Sequence, residues 1–326
     1  IVRYYLFNIK QLTKGNNMNN LKKVGLTALG TALVATSAQA ADVSVSMGTS
    51  IGFTGQDNND QGSGWTMTDS VTFSTSGDMD NGMSISHTVE LDGAVIDTHT
   101  IAITTDGMGT LTYVGDGSSG PIGAWDDITP TANEEAHGTT FAGTKFGAAN
   151  NDPNTQNSFV YDYTIMDGLA LKASYIPSDT TTSLDSSMDY GVLYTGIDGL
   201  SIYAAMGENN AASNSADLSM FGVVYAAGAF TVGYQMNETD FGTGTDDEDF
   251  TAIGVSYAVS DDLSISINQS TVDEEGSAED QEASAVSFSY TSGGMTITGT
   301  HASMDNVGGT ATSDNTGYEL GVSFAF

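Results

Sequence analysis

Sixteen stretches of this chain place large apolar side chains at every second position, with small or polar ones between. They lie at about 42–54, 65–77, 83–91, 95–105, 108–115, 156–166, 168–177, 187–196, 199–207, 216–227, 229–238, 250–260, 262–272, 282–292, 294–304 and 315–326. A period of two is the mark of a strand with one apolar and one polar face. In 262–272, Leu263, Ile265 and Ile267 oppose Ser264, Ser266 and Asn268; in 229–238, Phe230, Val232, Tyr234 and Met236 oppose Thr231, Gly233, Gln235 and Asn237. In 156–166, Phe159, Tyr161, Tyr163 and Ile165 oppose Asp162 and Thr164.

The connections alternate between short and long. The short ones carry turn residues at Asp78–Gly82, Asp106-Gly107, Asp167-Gly168, Asp198-Gly199, Ala227-Gly228, Asp261-Asp262 and Gly293-Gly294. Asp-Gly and Gly-Gly suit hairpin turns because those turns need positive φ. Between them fall polar stretches at 55–64, 116–155, 178–186, 208–215, 239–249, 273–281 and 305–314. The one break is Asp92-Gly93, short where a long loop is due. Tight turns at one end and long loops at the other, with an even strand count, predict a 16-stranded antiparallel transmembrane β-barrel whose apolar face meets lipid and whose polar face meets water. In a two-layer sandwich the apolar face would be the core. The chain has 39 glycines, many inside strands, where glycine is a poor strand former; these are expected to serve a curved barrel wall. Tyr113, Tyr161, Tyr175, Tyr194, Tyr203, Tyr257, Tyr290 and Tyr318, near strand ends, are expected in aromatic belts at the membrane surfaces.

Ahead of the strands, Met18–Ala40 has a basic start, an apolar run from Val24 to Ser37 and an Ala38-Gln39-Ala40 cleavage pattern, and reads as a secretory signal peptide. The run is too short to span a bilayer as a helix, which needs about 20 residues. Residues 1–17 read as upstream sequence outside the mature protein, and 41–326 as the barrel. Beyond residue 40 the only basic side chains are Lys145 and Lys172, against all 41 acids. Such a surface repels nucleic acid and attracts cations. The acids cluster between the alternating segments, which argues against disorder despite the charge. With no cysteine there is no disulfide scaffold or thiolate metal site.

In layout, the chain after residue 40 resembles the general porins of Gram-negative bacteria, most closely those of alphaproteobacteria. The resemblance rests on the terminal strand Tyr318–Phe326, the strand-turn-strand Val71–Ser86, and the strand Gly109–Val114 running into a long loop that begins Gly115-Asp116-Gly117. It implies a trimeric barrel in the cell outer membrane, in contact with lipid and lipopolysaccharide, through which small hydrophilic solutes diffuse. It also implies that the third long loop folds inward and that the terminal aromatic, Phe326, acts as an insertion signal.

The third loop, about 116–155, is the longest, and loops beyond about 15 residues are usually functional or disordered. Folded inward, it would line the constriction with Asp116, Asp126, Asp127, Glu134 and Glu135, stiffened by Trp125 and Pro130. Members of the resembled family set such acids against a cluster of basic residues, which this chain lacks; Lys172 has lumen parity. Uncompensated acids predict a cation-preferring channel. The run Asp246, Asp247, Glu248 and Asp249 suggests calcium, since close carboxylates repel unless a cation bridges them, and no EF-hand spacing is present. No cofactor is required otherwise. His87, His99, His137 and His301 form no zinc spacing, and Asp97 with His99 is an unspecific pair, so no enzyme is expected. An acidic calcium-binding surface-layer or adhesin-like β-protein is the alternative, but the tandem repeats such proteins carry are absent.

Overall fold

The computed structural model describes residues 42–56, 63–138, 156–178, 185–210, 215–242 and 247–326. All of these but Asp42 fall in one unit, Val43–Phe326. The segments expected to be upstream sequence and signal peptide, 1–17 and 18–40, lie outside the described residues, as do Lys145 and Asp246.

Sixteen strands form a single closed antiparallel barrel in which each pairs with its sequence neighbours and the first pairs with the last. They are β1 (Asp42–Gln56), β2 (Gly64–Asp78), β3 (Ser84–Asp92), β4 (Val95–Thr105), β5 (Gly109–Asp116), β6 (Ser158–Met166), β7 (Leu169–Ile176) and β8 (Ser187–Ile197). Then come β9 (Leu200–Asn209), β10 (Ala216–Ala227), β11 (Phe230–Phe241), β12 (Glu248–Ala258), β13 (Leu263–Glu274), β14 (Gln281–Ser292), β15 (Met295–Asp305) and β16 (Asn315–Ala325). These agree with the alternation read from the sequence to within a few residues. The short connection at Asp92-Gly93 is real: Gly93 N donates to Asp69 O at 3.0 Å as β3 turns into β4.

Burial is inverted relative to a soluble protein. On β13, Ile267 is 58% exposed while its neighbour Asn268 is 4% exposed. The same holds round the wall: Val232, Tyr234 and Met236 are exposed, and Gln235 and Asn237 are buried. A sandwich would hide the apolar set, whereas here it forms the outer surface and belongs in lipid. The tight turns sit where glycine was expected. Gly168 and Gly199 take φ of 75° and 73°, and a Cβ at Gly199 would lie 2.4 Å from Ala226 O.

Most of the tyrosines expected in belts, among them Tyr113, Tyr175, Tyr194, Tyr290 and Tyr318, face outward and are exposed. Tyr203 is an exception. It shares parity with buried Ala205 and faces the lumen, where its ring meets Trp125 at 5.6 Å. Its place near a strand end gave no sign of this, whereas its parity, opposite Leu200, Ile202 and Met206, did.

The barrel is closed by β1 against β16, from Gly48 opposite Ala325 to Gln56 opposite Gly317. The chain terminus completes the seam: Phe326 N donates to Met47 O at 2.9 Å, and Met47 N donates to Phe326 O at 3.2 Å. The Phe326 ring is exposed on the outer surface. Deleting Phe326 removes both bonds, each worth about 0.5–1.5 kcal/mol net, together with the outward ring. The expected result is a lower yield of folded barrel in the membrane fraction, measured by heat-modified gel mobility; a normal yield would refute the terminal role of Phe326.

Candidate functional site

After β5 the chain turns inward and crosses the inner wall from β8 to β15. It begins with a single helical turn, α1 (Pro121–Ala124). Ile122 N donates to Asp189 Oδ2 on β8 at 2.9 Å, and the other oxygen of that carboxylate accepts from Ser174 Oγ on β7. Ile128 N donates to Gln235 Oε1 on β11 at 2.9 Å. The Gln235 amide donates in return to the carbonyls of Trp125, at 3.3 Å, and Asp126. Further along, Ala132 N donates to Ser266 Oγ at 2.8 Å and Ala136 N to Asn268 Oδ1 at 2.6 Å, both on β13. Ser287 Oγ on β14 donates to Glu134 O at 3.2 Å, and Asn133 Nδ2 donates to Thr300 Oγ1 on β15 at 2.8 Å.

Apart from Asn133 with Thr300 and Ser174 with Asp189, these bonds join side chains of the wall to the backbone of the loop. A backbone lying inside a barrel must find partners for its N–H and C=O groups, and the wall supplies them. The arrangement holds the loop while leaving the side chains of Asp126, Asp127, Glu134 and Glu135 out of these anchoring bonds.

The wall also makes room. A Cβ on Gly191 would lie 2.4 Å from the Trp125 ring, on Gly222 2.0 Å from Ile128 Cδ1, on Gly233 2.4 Å from Pro130 Cδ, and on Gly254 2.8 Å from Pro130 O. These four glycines of β8, β10, β11 and β12 form a trough for the loop. Their presence inside strands, which suggested wall curvature, is explained at these positions by the close approach of the loop, through side chains at Gly191, Gly222 and Gly233 and through backbone at Gly254. Apolar contacts fasten both limbs. Ile122 clusters with Ala205, Leu218 and Met220; Ala136 clusters with Ala283, Ala285 and Met304. The His137 ring meets Phe250 edge-on at 4.8 Å.

The described part of the long loop, to residue 138, therefore lies inside the barrel with Asp126, Asp127, Glu134 and Glu135 on it. His137 is buried and its Nε2 lies 2.9 Å from Oδ1 of half-exposed Asp127. Burial raises the Glu135 carboxyl to about 8, and the nearby carboxylates of Asp127, Glu134 and Asp126 push the same way. Asp116 stands apart at the end of β5, where it accepts from Gln156 Nε2 at 3.1 Å. Lys172 faces the lumen as its parity predicted, and its Nζ donates to Asp162 Oδ1 across the β6–β7 pair at 3.2 Å.

The expected calcium run is dispersed. Asp247 Oδ1 accepts from Phe241 N at 2.8 Å. Glu248 and Asp249 lie on β12, whose alternation sends them to opposite faces; Asp249 stands beside Glu238 and Asp273 on the outer face. Among the described residues no group of three or more His, Asp or Glu is arranged to hold a metal. His99 packs against His87, with ring centroids 5.4 Å apart.

Asp189, Gln235, Ser266, Asn268 and Thr300 are the functional residues that sequence reading missed. Their only local signal is a polar residue at inward parity, which is also true of every solvated lumen position.

A family model described as Gram-negative porin matches residues 25–306. Among solved structures, the chain is similar to an anion-selective porin from Comamonas acidovorans, with 15% identity and a TM-score of 0.70 over 88% of this chain and 100% of that one. It is also similar to outer-membrane expressed OmpT of Vibrio cholerae, with 15% identity and a TM-score of 0.68 over 88% and 98% of the two chains. The trimer form of that Vibrio cholerae protein gives 15% identity and a TM-score of 0.66 over 88% and 100%. No curated protein matches the chain in sequence.

Two outcomes are expected from this geometry. Gly254→Val drives a side chain into the Pro130 backbone, a clash costing about 1–3 kcal/mol, and should lift the loop from its trough. Single-channel conductance should change while heat-modified mobility stays normal; unchanged conductance would mean the loop does not narrow the passage. The second concerns pH. Glu135 is raised from 4.5 to about 8 in the folded chain, so its proton favours the packed loop. That contribution is greatest below pH 4.5 and is lost as pH rises through 8. Ionisation also adds one negative charge to the lumen. Cation preference and current noise should therefore both rise between pH 7 and pH 9, as Glu135 ionises around pH 8, and Glu135→Gln should flatten both. A wild-type response equal to that of the variant would count against Glu135.

Proposed function

The chain belongs to the Gram-negative porin family and forms an outer-membrane channel for passive diffusion, and we propose that this channel prefers cations. The carrying observation is an imbalance of charge inside the barrel. Among the described residues, Asp126, Asp127, Glu134 and Glu135 ride on the inward loop, and Lys172, a base of the barrel wall, is already matched by Asp162. The channel also assembles as a homotrimer in this reading, as the trimer form of the similar Vibrio cholerae protein does. Its natural cargo is small hydrophilic solutes and cations, and the mechanism is diffusion rather than catalysis, with no cofactor involved.

One of the similar structures is an anion-selective porin. At 15% identity the two share a barrel, while selectivity belongs to the side chains of the constriction. A carboxylate beside the path lowers the energy of a passing cation and raises that of an anion. At close range in a partly desolvated channel this amounts to about 1–4 kcal/mol per charge before screening. Salt weakens it, since the Debye length falls from about 10 Å at 0.1 M to about 3 Å at 1 M.

Reversal potentials across a potassium chloride gradient measure the preference directly. It should be strong in dilute salt and fade in concentrated salt. Neutralising Asp126, Asp127, Glu134 and Glu135 together should reduce it several-fold with the barrel still folded. An anion-preferring wild type would overturn the proposal, and a preference indifferent to the four changes would move its source away from the loop.

A further inference from the structure

The wall opposite the loop has a chemistry of its own. The bonds that seat the loop run from β8 to β15. Across the lumen, on β1, β2, β3 and β16 with the lower ends of β14 and β15, the wall holds a depression of about 590 Å³. Ile51, Phe73, Tyr290 and Leu320 are exposed on the outer face, so alternation turns Ser50, Thr68, Thr291, Thr296 and Ser323 into the lumen. Register sets these five hydroxyls side by side across five strands. Thr68 Oγ1 lies 2.6 Å from Ser50 Oγ, Ser50 stands opposite Ser323, Ser323 stands opposite Thr296, and Thr296 Oγ1 lies 3.1 Å from Thr291 Oγ1.

The next row carries charge. Asp92 stands opposite Ser70, and Glu90, on the same inner face of β3, accepts from Thr98 Oγ1 at 3.4 Å. Both carboxylates line the depression, and none of its lining residues is basic. The row continues through Gly48, where an added Cβ would lie 3.5 Å from Ser70 Oγ, to Ala325, which is opposite Gly48 and whose N donates to Gly294 O at 3.0 Å. It therefore starts at the β3–β4 turn, at the long-loop end of the strands, and finishes at a tight turn of the other end. Five strands about 4.8 Å apart, tilted near 40°, carry it about 12 Å along the channel axis. The small Gly48 and Ala325 keep it a trough, edged by hydroxyls along its length and by two carboxylates at its upper end.

We propose that this trough is a subsite for a protonated amino sugar passing through the channel. A hydroxyl side chain both donates and accepts, so the row returns hydrogen bonds of either sense to a polyol that has shed water, at successive steps and without one fixed pose. Glu90 and Asp92 accept from an ammonium group and repel the carboxylate or phosphate of an acidic sugar. A quaternary alkylammonium brings charge but no N–H or O–H to match the wall. The ammonium half of the subsite rests on the cation preference proposed above; the hydroxyl half does not.

The test uses the purified full barrel in planar bilayers and reads reversal potentials with glucosamine hydrochloride or tetraethylammonium chloride on one side and potassium chloride on the other. The wild type should pass glucosamine about tenfold over tetraethylammonium, equivalent to about 1.4 kcal/mol. Thr68→Val, Thr296→Val and Ser323→Ala together remove hydroxyls with the trough still open, and should bring the two cations to parity. Glu90→Gln with Asp92→Asn should cut the ratio several-fold, because a carboxylate accepts from an ammonium N–H and a quaternary nitrogen has none. Thr104→Val with Thr110→Val removes an inward hydroxyl pair, 2.9 Å apart on β4 and β5 and outside the trough, and should match the wild type. If the triple variant yields no heat-modifiable barrel, the Glu90 and Asp92 pair decides alone. A cation-preferring wild type that passes both solutes equally overturns this proposal and leaves the cation preference standing. A ratio undiminished in both sets of variants, or lowered as far by the Thr104 and Thr110 changes, does the same. A wild type that prefers anions in a potassium chloride gradient overturns both.

Discussion

A polypeptide in hydrocarbon cannot leave its backbone N–H and C=O groups without partners, and this constraint governs the rest of the structure. A sheet meets it only by closing on itself, since an open edge would expose a row of such groups to lipid. Here closure is the β1–β16 pair, completed at its lower end by the two bonds between Met47 and Phe326. With the edge removed, the strands need only decorate two surfaces. The period of two then separates them, apolar outward and polar inward.

The same accounting of backbone groups explains the loop. A long segment inside a barrel brings amides and carbonyls into a space bounded by side chains, and the wall answers with Asp189, Gln235, Ser266, Asn268 and Ser287. Four glycines remove the side chains that would block its approach. Position is thus assigned largely to wall residues, and the charge of the passage to loop residues. In a fold built this way the passage can change its chemistry without losing its constriction. A barrel shared with an anion-selective relative is compatible with the opposite selectivity for this reason.

Packing the loop also changes its chemistry. Burial against the wall, and after it the nearby carboxylates of Asp127, Glu134 and Asp126, make Glu135 keep its proton to about pH 8. Near neutrality, therefore, the loop presents less negative charge than its composition suggests. His137, buried against Phe250, fixes the Asp127 carboxylate 2.9 Å away. The lumen field is set by how tightly the loop is pressed to the wall as well as by the number of its acids.

The architecture was legible in the sequence because its cause is local. Alternation in stretches such as Leu263–Asn268, the Asp-Gly turns, the uneven connections and the terminal Phe326 each constrain the backbone within a few residues, and together they fixed the barrel, its faces and its strand count. The inward loop was legible only as length and acidity. Its seat is made by residues far apart in sequence: Ile122 meets Asp189 over a separation of 67 residues, and Asn133 meets Thr300 over 167. For the same reason four strand glycines looked like curvature and are clearance, and of the run Asp246–Asp249, which looked like one cation site, Asp247 makes a loop contact while Glu248 and Asp249 lie on two faces of a strand. Chain-local period decides which way a side chain points, while only the closed barrel decides what it meets there.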